Sequence, residues 1–189
     1  GWKINAGTNV QLSFTDNSSF TYQDKQEDLS ATFAQKEKEY TAGLYAGFSK
    51  RFGKKLVLSA SLSAEYNKAV IDSVGRKWTL WSGVNLYPQL NLSYTIDPSN
   101  MLQVNFSSDK KYPAYWAMSS NVSYLKVYRQ VRGNPYLEPE RIYMARANYI
   151  LKKKYVFGLF ANHQVNYIRQ LYYQDTKALR AYYQSVNFD

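Results

Sequence analysis

The sequence has no cysteine, a single histidine and no long apolar run. Without cysteine, disulfides and thiolate chemistry are excluded, and His163 alone provides neither a Cys–His pair nor a histidine-rich zinc site. A membrane-spanning helix needs roughly 18 consecutive apolar residues, and no segment reaches that length. A glycine loop that cradles phosphate is also lacking. We therefore expect no catalytic residues, no metal and no cofactor, and we expect that the protein is not an enzyme.

Positive charge is abundant, with a net charge of +10. A nucleic-acid-binding protein gathers such charge on one helix face or in one groove. Here the basic residues, such as Lys54, Lys55 and the run 152–154, stand at or beside short predicted turns. The sequence therefore predicts no nucleic-acid partner.

Apolar and polar residues alternate along most of the chain, and aromatic residues make up 17% of it. From Trp2 to Phe14 the even positions are mainly apolar and the odd positions polar. A period of two indicates a β-strand with two different faces. The same pattern recurs over residues 40–52, 56–66, 86–96, 102–106, 143–151 and 155–167, and another strand begins near Tyr182.

The predicted connections alternate in length. In an antiparallel meander successive connections lie at opposite ends, so all short turns fall at one end, as in outer-membrane barrels. The sequence therefore predicts an all-β fold, an antiparallel up-and-down meander of about eight strands that is part of a larger transmembrane β-barrel. The long or medium connections are 15–36, 68–77, 109–140 and 174–181, and the short ones are 53–55, 97–100 and 152–154.

The polar strand faces consist mostly of Asn, Gln and Ser, and on five of the strands only Lys3 and Glu65 carry a charge. A soluble protein surface usually has about 25–35% charged residues. We therefore expect the polar faces to line a wide lumen and the apolar faces to contact lipid. The alternative is a soluble β-barrel or β-sandwich module that binds carbohydrate or another small ligand and keeps its apolar faces inside.

The octet GNPYLEPE, residues 133–140, ends the longest predicted loop. Each proline favours extended geometry in the residue before it, so the octet is expected to deliver the loop into a strand. We expect its glutamates, Glu138 and Glu140, to pair with Arg132 or Arg141.

The octet resembles the G-N-P-x-L-x-P-E signature of TonB-dependent outer-membrane receptors, and the preceding DKKYPAYW is similar to the segment that opens the same loop. The similarity is closest to the outer-membrane protein β-barrel family related to those receptors. The residues that carry the motif are Gly133, Asn134, Pro135, Leu137, Pro139 and Glu140.

This resemblance implies a barrel of about 22 strands with a plugged lumen, located in the cell outer membrane. Such receptors take up scarce small-molecule nutrients with energy relayed through TonB. Residues 1–189 would then form a single β-barrel segment, cut at both ends, without the plug domain, a TonB-contact box or the closing strand. The implied partners are outer-membrane lipid, the nutrient and, in the full-length protein, the plug domain and the TonB system.

The longest loop is where we expect ligand to bind, because aromatic rings stack on sugars and arginine holds anionic groups. The same aromatic residues are also suited to packing the loop or to marking the membrane interface. The candidate ligand-binding residues are Tyr112, Tyr115, Trp116, Tyr124, Tyr128, Arg129 and Arg132.

Overall fold

The computed structural model describes residues 1–20, 22–23, 25–27, 33–73, 76–119, 122–126, 128–175, 177 and 180–188. No helix in these ranges is long and apolar enough to cross a bilayer. The helix α1 (Tyr115–Met118) is a single turn. The strands are β1 (Trp2–Ser19), β2 (Tyr22–Gln23), β3 (Gln26–Glu27), β4 (Phe33–Phe52), β5 (Leu56–Ser73), β6 (Arg76–Asp97), β7 (Asn100–Lys111), β8 (Val122–Lys126), β9 (Arg129–Arg132), β10 (Glu140–Leu151), β11 (Tyr155–Val165), β12 (Tyr167–Asp175) and β13 (Arg180–Phe188).

The main sheet has seven strands in the order β1-β4-β5-β6-β7-β10-β11. Every neighbouring pair is antiparallel, as the register of each pair shows. The predicted antiparallel meander is therefore confirmed. Strands of 18 to 22 residues, such as β1 and β6, exceed the roughly 9–11 residues that cross a bilayer, so they extend beyond the membrane.

A smaller sheet departs from the simple meander. Its order is β12-β13-β9-β8, and β13 runs parallel to β9. The predicted strand 155–167 is broken at Asn166, whose φ is 57°, and the chain beyond it joins the smaller sheet as β12. The strand predicted near Tyr182 is β13.

Two connections are shorter than predicted. Strand β1 continues to Ser19 and β4 begins at Phe33, while β5 runs to Ser73 and β6 begins at Arg76. The interpretation of 68–77 as a loop was wrong, because Ala69 and Ile71 are apolar residues buried on the otherwise polar face of β5, so the alternation of the preceding residues loses its phase there. The short turns 53–55, 97–100 and 152–154 lie at one end of the meander as predicted.

The apolar face of the main sheet is exposed. The exposed fraction is 80% for Ile4, 64% for Leu44 and 78% for Leu159. A large apolar side chain left in water forfeits about 1.5–3 kcal/mol, so a soluble module would bury this face. We call this surface, which runs from the level of Trp2 and Phe52 to the level of Leu12 and Tyr40, the apolar band.

The opposite face is polar and hydrogen-bonded across strands. The Ser59 hydroxyl donates to Ser49 Oγ at 2.8 Å, and Thr41 Oγ1 donates to Asn67 Oδ1 at 2.9 Å. Uncharged groups that satisfy one another in this way suit the wall of a hydrated lumen. We call this side the lumen face.

The two faces predict opposite responses to the same charge. Leu44→Arg, within the apolar band, should lower the free energy of unfolding of the intact protein in lipid vesicles by roughly 2–4 kcal/mol. The control is Asn9→Arg on the neighbouring strand β1, diagonally across from Leu44 and on the lumen face. It should change the free energy of unfolding little. Denaturant titration in vesicles measures both, and equal losses would contradict the assignment of the faces.

Candidate functional site

The longest connection folds onto the lumen face. Ala117 and Met118 of α1 form a buried cluster with Leu137, and Leu80, Trp81 and Ile168 pack against it. The pairing of β5 with β6 shifts by one residue between Ala69 and Val70, which leaves Leu80 as the extra residue. A β-bulge re-aims side chains, so Leu80 and Trp81 both contact the loop.

The octet ties the connection to α1 and to β13. The Asn134 N–H donates to the Ala117 carbonyl of α1 at 2.6 Å, and Asn134 Nδ2 donates to the Ser185 carbonyl of β13 at 3.0 Å. Gln184 Nε2 donates to the Gly133 carbonyl at 3.0 Å. A Cβ on Gly133 would lie 1.8 Å from the Ser119 carbonyl oxygen, so only glycine fits this close approach.

The two glutamates of the octet bind the start of β12. Glu140 is 1% exposed, and its Oε1 accepts from the Ile168 N–H at 2.7 Å. Its Oε2 lies 3.5 Å from Lys111 Nζ. Glu138 Oε2 accepts from Asn166 Nδ2 at 2.8 Å. The expected pairing with Arg132 or Arg141 was wrong, because the bend at Asn166 brings β12 to these carboxylates.

A cavity of about 250 Å³ lies where the main sheet divides. Strand β6 pairs with β7 only from Gln89 to Asp97. Before Gln89 it stays with β5, while β7 stays with β10 up to Lys111. The octet residues Glu138 and Pro139 also line this space. We call it the fork cavity, and its other main lining residues are Asn67, Trp81, Tyr87, Lys110, Tyr112 and Arg141.

Aromatic rings and a paired cation form the wall of the fork cavity. Lys110 makes an ion pair with Glu65 and lies over the Tyr87 and Tyr112 rings, at 5.4 and 5.2 Å from their centroids. Tyr112 stacks on Trp81 with centroids 5.9 Å apart, and its hydroxyl donates to Asn67 Oδ1 at 2.6 Å. Rings held in this way offer stacking surface to a ligand group, while Glu65 and the two tyrosine rings compensate the charge of Lys110.

The sequence-predicted ligand residues fall into two groups. Tyr112 lines the fork cavity, and Tyr115 of α1 donates its hydroxyl to Glu39 Oε2 at 3.4 Å, while Trp116 is 56% exposed. Their role in binding remains a prediction. The second group, Tyr124, Tyr128, Arg129 and Arg132, belongs to strands β8 and β9 of the smaller sheet or to the turn between them.

The smaller sheet adds residues that sequence reasoning missed. The Arg132 guanidinium lies 4.0 Å from the centroid of the Tyr182 ring, which stacks on Tyr173 at 5.1 Å. Trp81 and Lys110 of the fork cavity were missed as well. Lys110 stands two residues before Tyr112, so the DKKY segment could have identified this cation as a neighbour of the candidate tyrosine. The smaller sheet depends on a parallel strand pairing, which has no local signature in the sequence.

A buried carboxyl lies on β4 beyond the apolar band. Lys36 and Lys38 on the outward face of β4 are exposed, which places this part of the strand outside the membrane. Glu37 between them is 3% exposed, and its Oε1 has no hydrogen-bond partner among the described residues. Burial, followed by the charge of Glu39, raises the pKa of Glu37 to about 7. Within the described ranges, no three His, Cys, Asp or Glu residues are arranged to hold a metal ion.

A sequence model of the outer membrane protein beta-barrel family matches residues 1–189. The chain therefore belongs to this family and is a β-barrel segment of the outer membrane. Together with the exposed apolar band, this assignment excludes the soluble alternative.

Comparison with curated proteins and with solved structures assigns no ligand to this chain. No curated protein matches the sequence. Among solved structures, the siderophore receptor PirA from Pseudomonas aeruginosa is similar with a TM-score of 0.47 and 12% identity. That match covers 97% of this chain, which spans 45% of the receptor chain. A similarity this low transfers no ligand.

Gly133→Ala tests the close approach of the octet to α1. Because the added methyl collides with the Ser119 carbonyl, we expect a loss of about 1–3 kcal/mol in the anchoring of the loop. Proteolytic cleavage of the loop in the intact protein should accelerate accordingly. Gly83→Ala is the control, since nothing lies within 4 Å of its added Cβ. Equal cleavage of the two variants would contradict the anchoring role.

Glu37→Gln tests the buried carboxyl. The folded pKa of about 7 exceeds the ordinary glutamate pKa of 4.5, so the stability contributed by protonated Glu37 is complete below the lower of these two values. It is lost as the pH rises through the folded pKa. The free energy of unfolding of the wild type should therefore decrease as the pH rises from 4.5 to about 7. The decrease should be smaller in Glu37→Gln. Unfolding midpoints across this pH range measure the effect, and parallel curves for the two proteins would disprove the assignment.

Proposed function

We propose that this chain forms the ligand-binding wall of a TonB-dependent receptor that takes up a small nutrient across the outer membrane. The observation that carries the proposal is that the connection between β7 and β10 packs onto the lumen face through Ala117, Met118 and Leu137. A loop that lies inside the lumen narrows the passage, so a solute has to bind to the wall before it can pass. The release of a tightly bound solute requires energy. The octet, by its resemblance to the receptor signature, favours TonB as the source.

The proposed ligand contacts begin in the fork cavity. Arg141 supplies positive charge, since that of Lys110 is paired with Glu65, and Trp81 and Tyr112 supply stacked rings. Such a wall suits a ligand that carries planar or hydroxyl-rich groups together with negative charge. Tyr115 and Trp116 extend this surface along the loop.

The second group of residues would make the first contacts. Tyr124, Tyr128 and Arg129 are exposed, and Arg132 is half-buried over Tyr182. The proposed role is binding and transport without catalysis, with the plug domain and the TonB system of the full-length protein as partners.

Uptake by cells that produce the full-length protein tests this function. The probes are radiolabelled ferric siderophores, cobalamin and maltodextrins. We expect one class to accumulate, and inactivation of TonB should abolish its accumulation. Tyr112→Ala should raise the half-saturating concentration about tenfold, because it removes a stacked ring and a hydrogen bond.

The matched control is Tyr136→Ala, since Tyr136 is 82% exposed and does not line the fork cavity. Its uptake should equal that of the wild type. Accumulation that persists without TonB would contradict energy coupling, and equal effects of the two tyrosine variants would contradict the site.

A further inference from the structure

The two ends of the main sheet differ in how their charges are compensated. Toward the long connections some cations pair with carboxylates, as in Lys36–Asp16, Lys77–Asp72 and Lys111–Glu140, while Lys38, Lys68 and Arg76 form no ion pair among the described residues. At the short-turn end no basic side chain pairs with a carboxylate among the described residues. We call these unpaired residues the basic rim, and they are Lys50, Lys54, Lys55, Lys152, Lys153 and Lys154.

The turns that contribute to the rim lie side by side. The Thr95 N–H donates to the Lys55 carbonyl at 2.7 Å, and Lys55 Nζ donates to the Ile96 carbonyl at 2.8 Å. The Lys153 N–H donates to the Ser99 carbonyl at 2.8 Å. The turns 53–55, 97–100 and 152–154 therefore form one continuous edge, with the cations on its two outer turns and Asp97 on the turn between them.

The acidic residue of these turns is occupied locally. Asp97 Oδ1 accepts from the Ser99 N–H at 2.8 Å, and its Oδ2 accepts from Asn100 Nδ2 at 2.5 Å. Asp97 thus closes its own turn. The rim keeps a large excess of positive charge.

The rim lies at the edge of the apolar band. Lys50 Nζ is 4.2 Å from the Trp2 ring and 4.8 Å from the Phe52 ring, and Lys154 Nζ is 5.4 Å from the Tyr155 ring. Tryptophan and tyrosine concentrate where hydrocarbon meets headgroups. The amines beside these rings are therefore at headgroup depth.

We propose that the basic rim binds the phosphate groups of anionic phospholipids in the leaflet that surrounds the short turns. Lysine near a membrane surface is attracted to anionic lipid. The rim lysines form no ion pairs within the described ranges, adjoin the lipid-contacting surface and are exposed, apart from the half-buried Lys50. Lipid binding at the rim thereby holds the short-turn end of the barrel segment at a fixed depth in the bilayer.

Lipid selectivity of the intact protein in nanodiscs tests the proposal. Electron paramagnetic resonance with spin-labelled phosphatidylglycerol or phosphatidylcholine gives the relative association of the two lipids with the protein. At low salt we expect a preference of roughly two- to fivefold for phosphatidylglycerol. High ionic strength should reduce it toward one.

Two variants of equal net charge separate rim binding from a general charge effect. In the rim variant Lys54, Lys55, Lys152, Lys153 and Lys154 become Gln. The turn hydrogen bonds at Lys152 and Lys153 use backbone N–H groups, so the fold should persist. The rim variant should lose the preference. The control variant, which should keep it, changes Lys36, Lys38, Lys68, Arg76 and Lys77 to Gln.

Three results would overturn the proposal. The first is an absence of preference in the wild type, and the second is an equal loss in both variants. The third is competition by inorganic phosphate beyond that of chloride at the same ionic strength, which would show that the rim recognises free phosphate rather than a bilayer.

Discussion

Hydrocarbon offers no hydrogen-bond partners, and the rest of this structure depends on that constraint. Every backbone N–H and C=O at membrane depth must be paired within a sheet, which the antiparallel ladder from β1 to β11 does for its inner strands. The terminal strands β1 and β11 have one neighbour each in this sheet, so further strands of the larger barrel must pair with their free edges. Once the ladder is fixed, the period of two sends one set of side chains to lipid and the other to the lumen.

The lumen is where the chain departs from a simple barrel wall. A polar wall leaves an open passage, and here the octet turns the longest connection inward. Gly133 allows close approach to Ser119, and Asn134 joins α1 to β13. Glu140 accepts a hydrogen bond from the start of strand β12. The fork cavity follows from this geometry, because β6 and β7 separate where the connection enters. Loop, octet and cavity thus form one unit.

The sequence predicts the strand pattern that the bilayer imposes, and it does not predict the features that depend on the packing of the loop. Alternation from Trp2 to Phe14 and the placement of the short turns were sufficient for the meander, because lipid imposes a strict period. The prediction weakened at 68–77, where the apolar residues Ala69 and Ile71 lie on the lumen face and Lys68 and Asp72 on the other, the reverse of the pattern in the rest of β5. The break at Asn166, the bulge at Leu80 and the parallel pairing of β13 with β9 depend on tertiary contacts. For the same reason, Tyr112 was identified as a candidate without its neighbours Trp81 and Lys110.

The assignment of the two sheet faces is the central claim, and site-directed spin labelling tests it most directly. Because the chain contains no cysteine, a nitroxide can be placed singly at each position from 40 to 48 of β4 in the intact protein in lipid. Accessibility to oxygen and to a water-soluble nickel complex should alternate with a period of two, with the even positions exposed to oxygen. The opposite phase, or no alternation, would contradict the account.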